Sequence, residues 1–564
     1  MGKIVEIKDF SFSYSGSDEF ALEDINLGIE EGSINLLIGK SGSGKSTLLK
    51  CLKTGMMPAG RNSGKILIGN SEVGEMSQLE ATKTVGLVTQ NPDNQIVTDT
   101  VWHELAFGLE NLGVSNNSIR SRVAEMAEYF GISDWYNKKV TSLSGGQKQL
   151  LNLASVMVTT PSILLLDEPT AQLDPIATKR FLGQIAAINA DLGTTIIMIE
   201  HNLENIYEKV DKIVALENGK VLATGDKSTM ISKLRELESN LTLGLPKAVR
   251  VYEKLSEKTD RITVPQVRKW IKEYFVDMPT NIRKDVEKYL REQDPNINTD
   301  KKISPIITIK DVSFYYNDNM DKSKKVLNNL NLQINEGEIT AILGGNGAGK
   351  STLLKLLTNI EKAKSGKIKV VKNKRIYMLP QNPLTVFTQI SVEEELAEII
   401  LLRSDLYKEL DLKKKKELVY ESLKNIGLES CAKRHPYDLS GGEAQKLAIA
   451  KIMLMKPEIL LLDEPTKGLD PFYRQEIGEM LKKLVDKEGI TVVVVTHDLE
   501  WTARYANKCA LLFDGEVASL NNTRDFFAGN MFFTTGVNRV MSDIFNNCIV
   551  MSDVEKIKKL SKDW

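Results

Sequence analysis

The sequence predicts an α/β fold built twice along one chain. Two glycine-rich strings, GKSGSGKS at 39–46 and GGNGAGKS at 344–351, each follow an apolar run and lead into a helix-forming run. Three further strings recur in the same order. They are LSGGQ at 143–147 and LSGGE at 439–443, LLLDEPT ending at Thr170 and at Thr466, and a single histidine, His201 or His497. Ser144 and Ser440, Asp167 and Asp463, and His201 and His497 are each 296 positions apart. Four ordered strings at a fixed offset mark an internal repeat rather than chance matches.

Within the first copy the elements follow in order. IVEIKDFSFSY reads as an antiparallel strand region, INLLIG as a buried strand running into the glycine loop, and STLLKCL as the helix behind it. ILLLD and TTIIMIEH are short apolar runs of the kind that fill a parallel sheet covered on both faces. The 54 residues from Gln90 to Ser144, and the 59 from Gln381 to Ser440, carry helical periodicity and predict a helical subdomain in each copy. One interval does not repeat: Lys45 to Gln90 spans 45 positions, Lys350 to Gln381 only 31. The second copy is expected to lack a strand and its turn around 69–81.

The expected boundaries are 1–235 for the first domain and 304–530 for the second. A linker or extension at 236–303 and a tail at 531–564 complete the chain. The linker is charged and proline-punctuated but has helical patches, LRELESNL and VPQVRKWIKEYF. A connection of this length inside a compact protein is not expected to be structureless.

Bulk properties narrow the function classes. With 74 basic and 75 acidic residues the net charge is −1, so no global field favours nucleic acid or an anionic membrane. The four cysteines show no CxxC spacing, which argues for a reducing compartment and against zinc or iron–sulfur ligation. No run approaches the roughly 18–20 apolar residues that span a bilayer. MGKIVEIKDF alternates like a strand and has no signal-peptide apolar core. The expected setting is intracellular, with any membrane connection made through a partner.

The repeated strings carry phosphate chemistry. Gly39, Gly42 and Gly44, and Gly344, Gly345, Gly347 and Gly349, allow backbone N–H groups to turn toward phosphate oxygens, with a helix N-terminus behind them. Ser41, Thr47, Asn346 and Thr352 complete the two loops. Lys45 and Lys350 are placed to reach the β- and γ-phosphates of ATP, and the hydroxyls of Ser46 and Ser351 to ligate Mg²⁺. Asp167 and Asp463 end apolar strands beside that metal, together with Gln90 and Gln381. Glu168 and Glu464 follow directly, where strand alternation points them elsewhere, toward the attacking water, as catalytic carboxylates. His201 and His497 are placed to contact the γ-phosphate or orient the water. Tyr14 and Tyr316 close matching patterns, DFSFSY and DVSFYY, and are candidates to stack on adenine. Ser144, Gly145 and Gly146, and Ser440, Gly441 and Gly442, offer a serine and a helix N-terminus to phosphate.

Both copies resemble ATP-binding cassette (ABC) ATPases over almost their whole length. The resemblance implies two tandem P-loop NTPase domains, each with a RecA-like core, an antiparallel β region and a helical subdomain. It also implies that the two cassettes pair within one chain. One site would combine Lys45, Glu168 and His201 with Ser440 and Gly442, and the other Lys350, Glu464 and His497 with Ser144 and Gly146. Asp174 and Asp470 fall where family members form the loop that couples the sites. Glu443, in place of the usual glutamine, is expected to matter little.

Within the family, QNPDNQIVTDTVWHELAFGLENLG at 90–113 resembles the segment after the glutamine loop in energy-coupling-factor importers of vitamins and of cobalt or nickel. Residues 243–271 and the tail FFTTGVNRV are similar to the extensions of those ATPases, the tail to that of their fused, double-cassette members. This implies a motor on the cytoplasmic face of the cell membrane. Its partners would be an integral membrane coupling protein and a small substrate-capture membrane protein, with no nucleic acid. Two rivals are a soluble tandem-cassette factor acting on the ribosome and the ATPase of a sugar-type importer. The first usually has a strongly basic linker and the second often a degraded catalytic site, and neither trait is present. The groove beside Gln90 carries Asp93 and Glu104, whereas the second has Leu384 and Glu395 at the matching places. These acids are expected to receive arginines of the membrane partner, chiefly in the first groove.

Overall fold

The computed structural model describes residues 2–292, 304–316 and 325–561. The chain divides into two compact units, Met1–Pro246 and Lys247–Trp564.

The first unit is organised around a six-stranded sheet in the order Lys220–Gly225, Lys212–Glu217, Ile34–Ile38, Thr195–Ile199, Ile163–Asp167, Val85–Val88. The five strands from Lys212–Glu217 onward run parallel, and Lys220–Gly225 closes one edge antiparallel. INLLI and TIIMI are buried at every position, as continuous apolar runs must be when both sheet faces are covered. A separate antiparallel sheet runs Leu22–Glu30, Lys3–Tyr14, Gly60–Ile68, Ser71–Glu72. Helices Val101–Asn111 and Asn116–Tyr129 form the helical part expected between Gln90 and Ser144, and helix Gly145–Met157 follows them from within the LSGGQ string.

The second unit repeats this plan. Its six-stranded sheet runs Ile376–Leu379, Ile459–Asp463, Thr491–Val495, Ile339–Leu343, Lys508–Phe513, Glu516–Asn522, again with only the last strand antiparallel. Its antiparallel sheet has three strands, Leu327–Asn335, Pro305–Phe314 and Ser365–Val370. The interval missing from this copy is more than a strand and turn. The first unit has there both the short strand Ser71–Glu72 and the helix Gln78–Thr84, capped by the Ser77 side chain on the Glu80 N–H.

The described part of the linker in this unit folds as three helices, Lys247–Ser256, Val264–Tyr274 and Thr280–Glu292. A capping box of Thr263 and Gln266 starts the second. Val267, Ile271 and Phe275 recur at helical spacing, and all are buried in one core with Val540, Phe545 and Ile557 of the tail. Arg268 donates to both carboxylate oxygens of Asp543, at 3.2 and 2.5 Å. Glu287 accepts from the backbone and side-chain N–H groups of Asn547. Segments on either side of the second cassette thus fold together. Residues 293–303 of the linker, and 562–564 of the tail, lie outside the described residues.

Candidate functional site

In each unit the parallel strands end on one edge, and the expected site residues stand there. Strand Ile34–Ile38 leads into the glycine loop, Ile163–Asp167 into Glu168, and Thr195–Ile199 into Glu200 and His201. Asp167 pairs in register with Ile199, which brings the acidic pair and the histidine side by side. The second unit repeats this with Asp463 opposite Val495.

The glycine loops are tightly folded. Gly44 has φ 95° and Gly349 φ 96°, the left-handed region, and each caps the helix that follows. A Cβ on Gly44 would stand 2.6 Å from the Ala21 carbonyl oxygen, and on Gly349 2.8 Å from that of Val326. Only glycine satisfies both the torsion and the space. The ammonium of Lys45 donates to the carbonyls of Gly39 and Lys40 at 2.9 and 2.7 Å. Lys350 does the same to Gly344 and Gly345, at 2.9 and 3.1 Å. Both lysines are buried and lie folded over their own loops.

Behind the loop the Ser46 hydroxyl donates to Asp167 at 2.9 Å, and the Ser351 hydroxyl stands beside Asp463. Burial pushes both carboxyls above the ordinary range, with the serine hydroxyl opposing it. Oδ1 of Asp463 is buried without a hydrogen-bond partner among the described residues. An orphaned carboxylate oxygen beside a serine hydroxyl is a hard, all-oxygen donor set that fits Mg²⁺ held jointly with phosphate.

The acidic residues that follow have unusual backbones: φ is 46° at Glu168 and 51° at Glu464. Left-handed torsions at non-glycine residues are costly, and here they re-aim the carboxylates at the sheet edge. Glu168 is held from two sides, by Gln90 Nε2 at 2.9 Å and His201 Nε2 at 2.8 Å. Glu464 meets Nδ1 of His497 at 2.9 Å and lies 3.9 Å from the Lys350 ammonium. Burial alone would raise Glu464, but the His497 contact and the charges of Lys350 and Lys467 bring its carboxyl below the usual range. Gln381 is exposed and does not hydrogen-bond Glu464.

Sequence reasoning missed two differences between the sites. Lys467 lies beside Glu464 and Asp463, its pKa lowered by burial against the pull of both carboxylates, where the first copy has Ala171. Glu200 precedes the first histidine where the second copy has Thr496. A residue-by-residue comparison of the repeats was the signal available for both.

Tyr14 and Tyr316 are partly exposed, and their hydroxyls contact those of Thr47 and Thr352 at 2.7 and 3.2 Å. The tyrosines thus stand against the helices that follow the glycine loops. Ser144 and Ser440 are N-caps in full capping boxes. The Ser144 N–H donates to Gln147 Oε1, and the Ser440 N–H to Glu443 Oε2, both at 2.8 Å. Glu443 makes the same capping bond as Gln147. Gly145, Gly146, Gly441 and Gly442 form the first turns of those helices. Asp174 and Asp470 cap the long helices Pro175–Leu192 and Pro471–Glu488.

The expected docking acids require correction. Glu104 is buried and accepts the N–H groups of Val97 and Thr98 at 3.1 and 2.9 Å. Glu395 is fully buried, accepts from Thr388 and Gln389, and is paired with Lys451. Both clamp a loop from within and are not available to a partner's arginine. Asp93 is exposed and paired with Lys148 at 2.5 Å, while Asn91 caps the local turn.

Comparison with known proteins agrees with this geometry. The ABC transporter family model matches residues 22–171 and 327–467. A protein of Bacillus thuringiensis subsp. konkukian, named "Putative ABC transporter ATP-binding protein", is 38% identical over 564 residues, covering 97% of each chain. One of Clostridium perfringens with the same description is 32% identical, covering 91% of this chain and 89% of its own. Among solved structures, one titled RNase-L Inhibitor shares the fold over 98% of this chain and 99% of its own, at TM-score 0.57 and 20% identity. That of cbiO1 from Clostridium perfringens, described as part of the ABC transporter complex cbiONQ, covers 42% of this chain and 94% of its own, at 29% identity and TM-score 0.39. Two complete sets of phosphate loop, acidic pair and histidine, on two matching sheets, place this chain in the ABC transporter family as an ATP-hydrolysing protein with two tandem cassettes.

Proposed function

We propose that the chain is the motor of an energy-coupling-factor type importer, hydrolysing ATP to drive uptake of a micronutrient, a vitamin or a transition-metal ion. No helix among the described residues is long and apolar enough to cross a membrane, so translocation calls for membrane partners. An integral coupling protein and a small substrate-capture protein are the partners this reading assigns, with the motor on the cytoplasmic face of the membrane.

The observation that carries the reading is the surface after Gln90. Val97, Trp102 and Phe107 are exposed there, close in sequence to a glutamine that touches the catalytic carboxylate. Exposed apolar side chains close in sequence to such a lever suit a docked helix whose movement is felt at Glu168. The folded linker and tail, which resemble in sequence the extensions of such importers, support the same reading.

In each site Lys45 or Lys350 binds the β- and γ-phosphates, assisted by the loop N–H groups. Glu168 or Glu464 takes a proton from the attacking water, and His201 or His497 holds that carboxylate in place. Ser46 with Asp167, and Ser351 with Asp463, would hold Mg²⁺, joined by Gln90 and Gln381. When bound, the metal neutralises charge on the phosphates. Ser144 and Ser440 with their glycines add a helix N-terminus for phosphate, so hydrolysis depends on both signatures.

The test is expression of the tagged chain in its native host, with purification from detergent-solubilised membranes. Recovery of a multi-span protein plus a small apolar one, and ATP-dependent vitamin or metal uptake by that complex in liposomes, supports the reading. Co-sedimentation with ribosomes instead favours the soluble-factor alternative, and a sugar-transporting complex the other.

A further inference from the structure

The residue before each site histidine differs between the cassettes, although both are buried: Glu200 in the first, Thr496 in the second. In the second, the Thr496 hydroxyl accepts the N–H of Asp498 at 3.0 Å and closes the turn behind strand Thr491–Val495. In the first, Oε1 of Glu200 closes the corresponding turn, accepting the N–H groups of His201 and Asn202 at 3.1 and 3.3 Å. A carboxylate has a second oxygen, and this one is used. Oε2 of Glu200 accepts the hydroxyl of Thr170 at 2.5 Å.

Thr170 lies two residues after Glu168, at the start of the segment that runs to the helix cap Asp174. One buried side chain therefore joins the backbone carrying His201 to the backbone leaving Glu168. Glu200 offers one oxygen to each backbone, whereas a threonine at this place has one oxygen and a shorter reach. Glu168 and His201 themselves meet at 2.8 Å. A side chain that ties their two backbones holds that contact from behind.

We propose that Glu200 is a positioning residue peculiar to the first site, fixing the spacing of Glu168 and His201 through Thr170 and the histidine turn. It touches neither reacting atoms nor phosphate, and acts by pre-organising the pair that does. The two cassettes, alike in their catalytic residues, are thereby built with different rigidity. This inference rests on the assignment of Glu168 and His201 to hydrolysis.

The experiment is single-turnover cleavage of ATP by the full chain carrying Glu464→Gln, which leaves the first site as the one with its carboxylate. ATP affinity is measured in parallel. In that background Glu200→Ala is expected to slow cleavage about tenfold, the scale on which supporting-shell residues act, with affinity within about twofold. Glu200→Gln, which keeps one acceptor oxygen on the turn, retains most of the rate. Thr170→Val, close to isosteric, slows cleavage too, and its combination with Glu200→Ala is no slower than Glu200→Ala alone, because the two act as one unit. A Glu200→Ala rate within about twofold of its parent, or an affinity loss equal to the rate loss, overturns the proposal. So does additivity of the two substitutions. Adding Glu168→Gln separates the layers: cleavage that survives it defeats the site assignment itself. A parent with no cleavage would show the first site inactive and defeat both.

Discussion

The carboxylate of Glu168 lies 2.8 Å from Nε2 of His201, and its other oxygen lies 2.9 Å from Nε2 of Gln90. A residue on the loop entering the helical part thus touches the group assigned to activate water, which gives a path from that surface to the chemistry. Gln90→Ala removes one of these two contacts and is expected to lower ATP turnover by roughly tenfold, as misplacement of a catalytic group does. Gln381→Ala should do less, since Gln381 makes no such bond to Glu464. Steady-state ATPase rates of the two variants decide this, and equal losses would contradict it.

The two signature helices should respond differently to one methyl group. A Cβ on Gly442 would meet the ring of Tyr473 at 2.3 Å, whereas on Gly146 its nearest neighbours are at 3.5 and 3.6 Å. Gly442→Ala is expected to cost about 1–3 kcal/mol by overpacking, and Gly146→Ala to be close to neutral. Thermal melts of both variants check this, and adding Tyr473→Ala should restore much of what Gly442→Ala loses.

The tail is joined to the second cassette by a buried ion pair. Arg524 and Asp553 meet at 3.0 Å with side chains 9% and 1% exposed, and Asp553 also accepts the Ile549 N–H at 3.0 Å. Asp553→Ala strands a buried guanidinium and should destabilise this unit by about 3–5 kcal/mol. Urea unfolding followed by fluorescence reads the change, and a loss below about 1 kcal/mol would show that the pair carries little.

Much of the catalytic edge was legible because its determinants are local. Runs such as ILLLD and TIIMI can be satisfied only as buried strands, and the glycine loops, capping serines and acidic pairs sit at their ends. What was not legible depends on neighbours far away in sequence. Nothing near Glu168 announces a left-handed φ of 46°. The role of Glu104 was misread because an acid on an amphipathic helix looks like a surface group. Its partners, Val97 and Thr98, belong to a loop whose path only the fold determines. Likewise the helical pattern of 264–275 showed an apolar stripe but not that the tail would cover it.

That correction has its own consequence. Glu104→Ala takes the charged acceptor from the Val97 and Thr98 N–H groups and the Thr98 hydroxyl and should destabilise the first unit by about 1–3 kcal/mol. Asp93→Ala, at an exposed pair, should change stability by less than about 1 kcal/mol. Chemical denaturation of the two variants tests this, and a Glu104→Ala protein of wild-type stability would return that carboxylate to the list of docking groups.

The most direct test of two complete ATPase sites is hydrolysis by the full chain carrying both Glu168→Gln and Glu464→Gln. Removing the general base from each site is expected to lower Mg²⁺-dependent turnover by roughly 10²–10⁴-fold while ATP binding persists. Wild-type turnover in the double variant would contradict the assignment of these carboxylates.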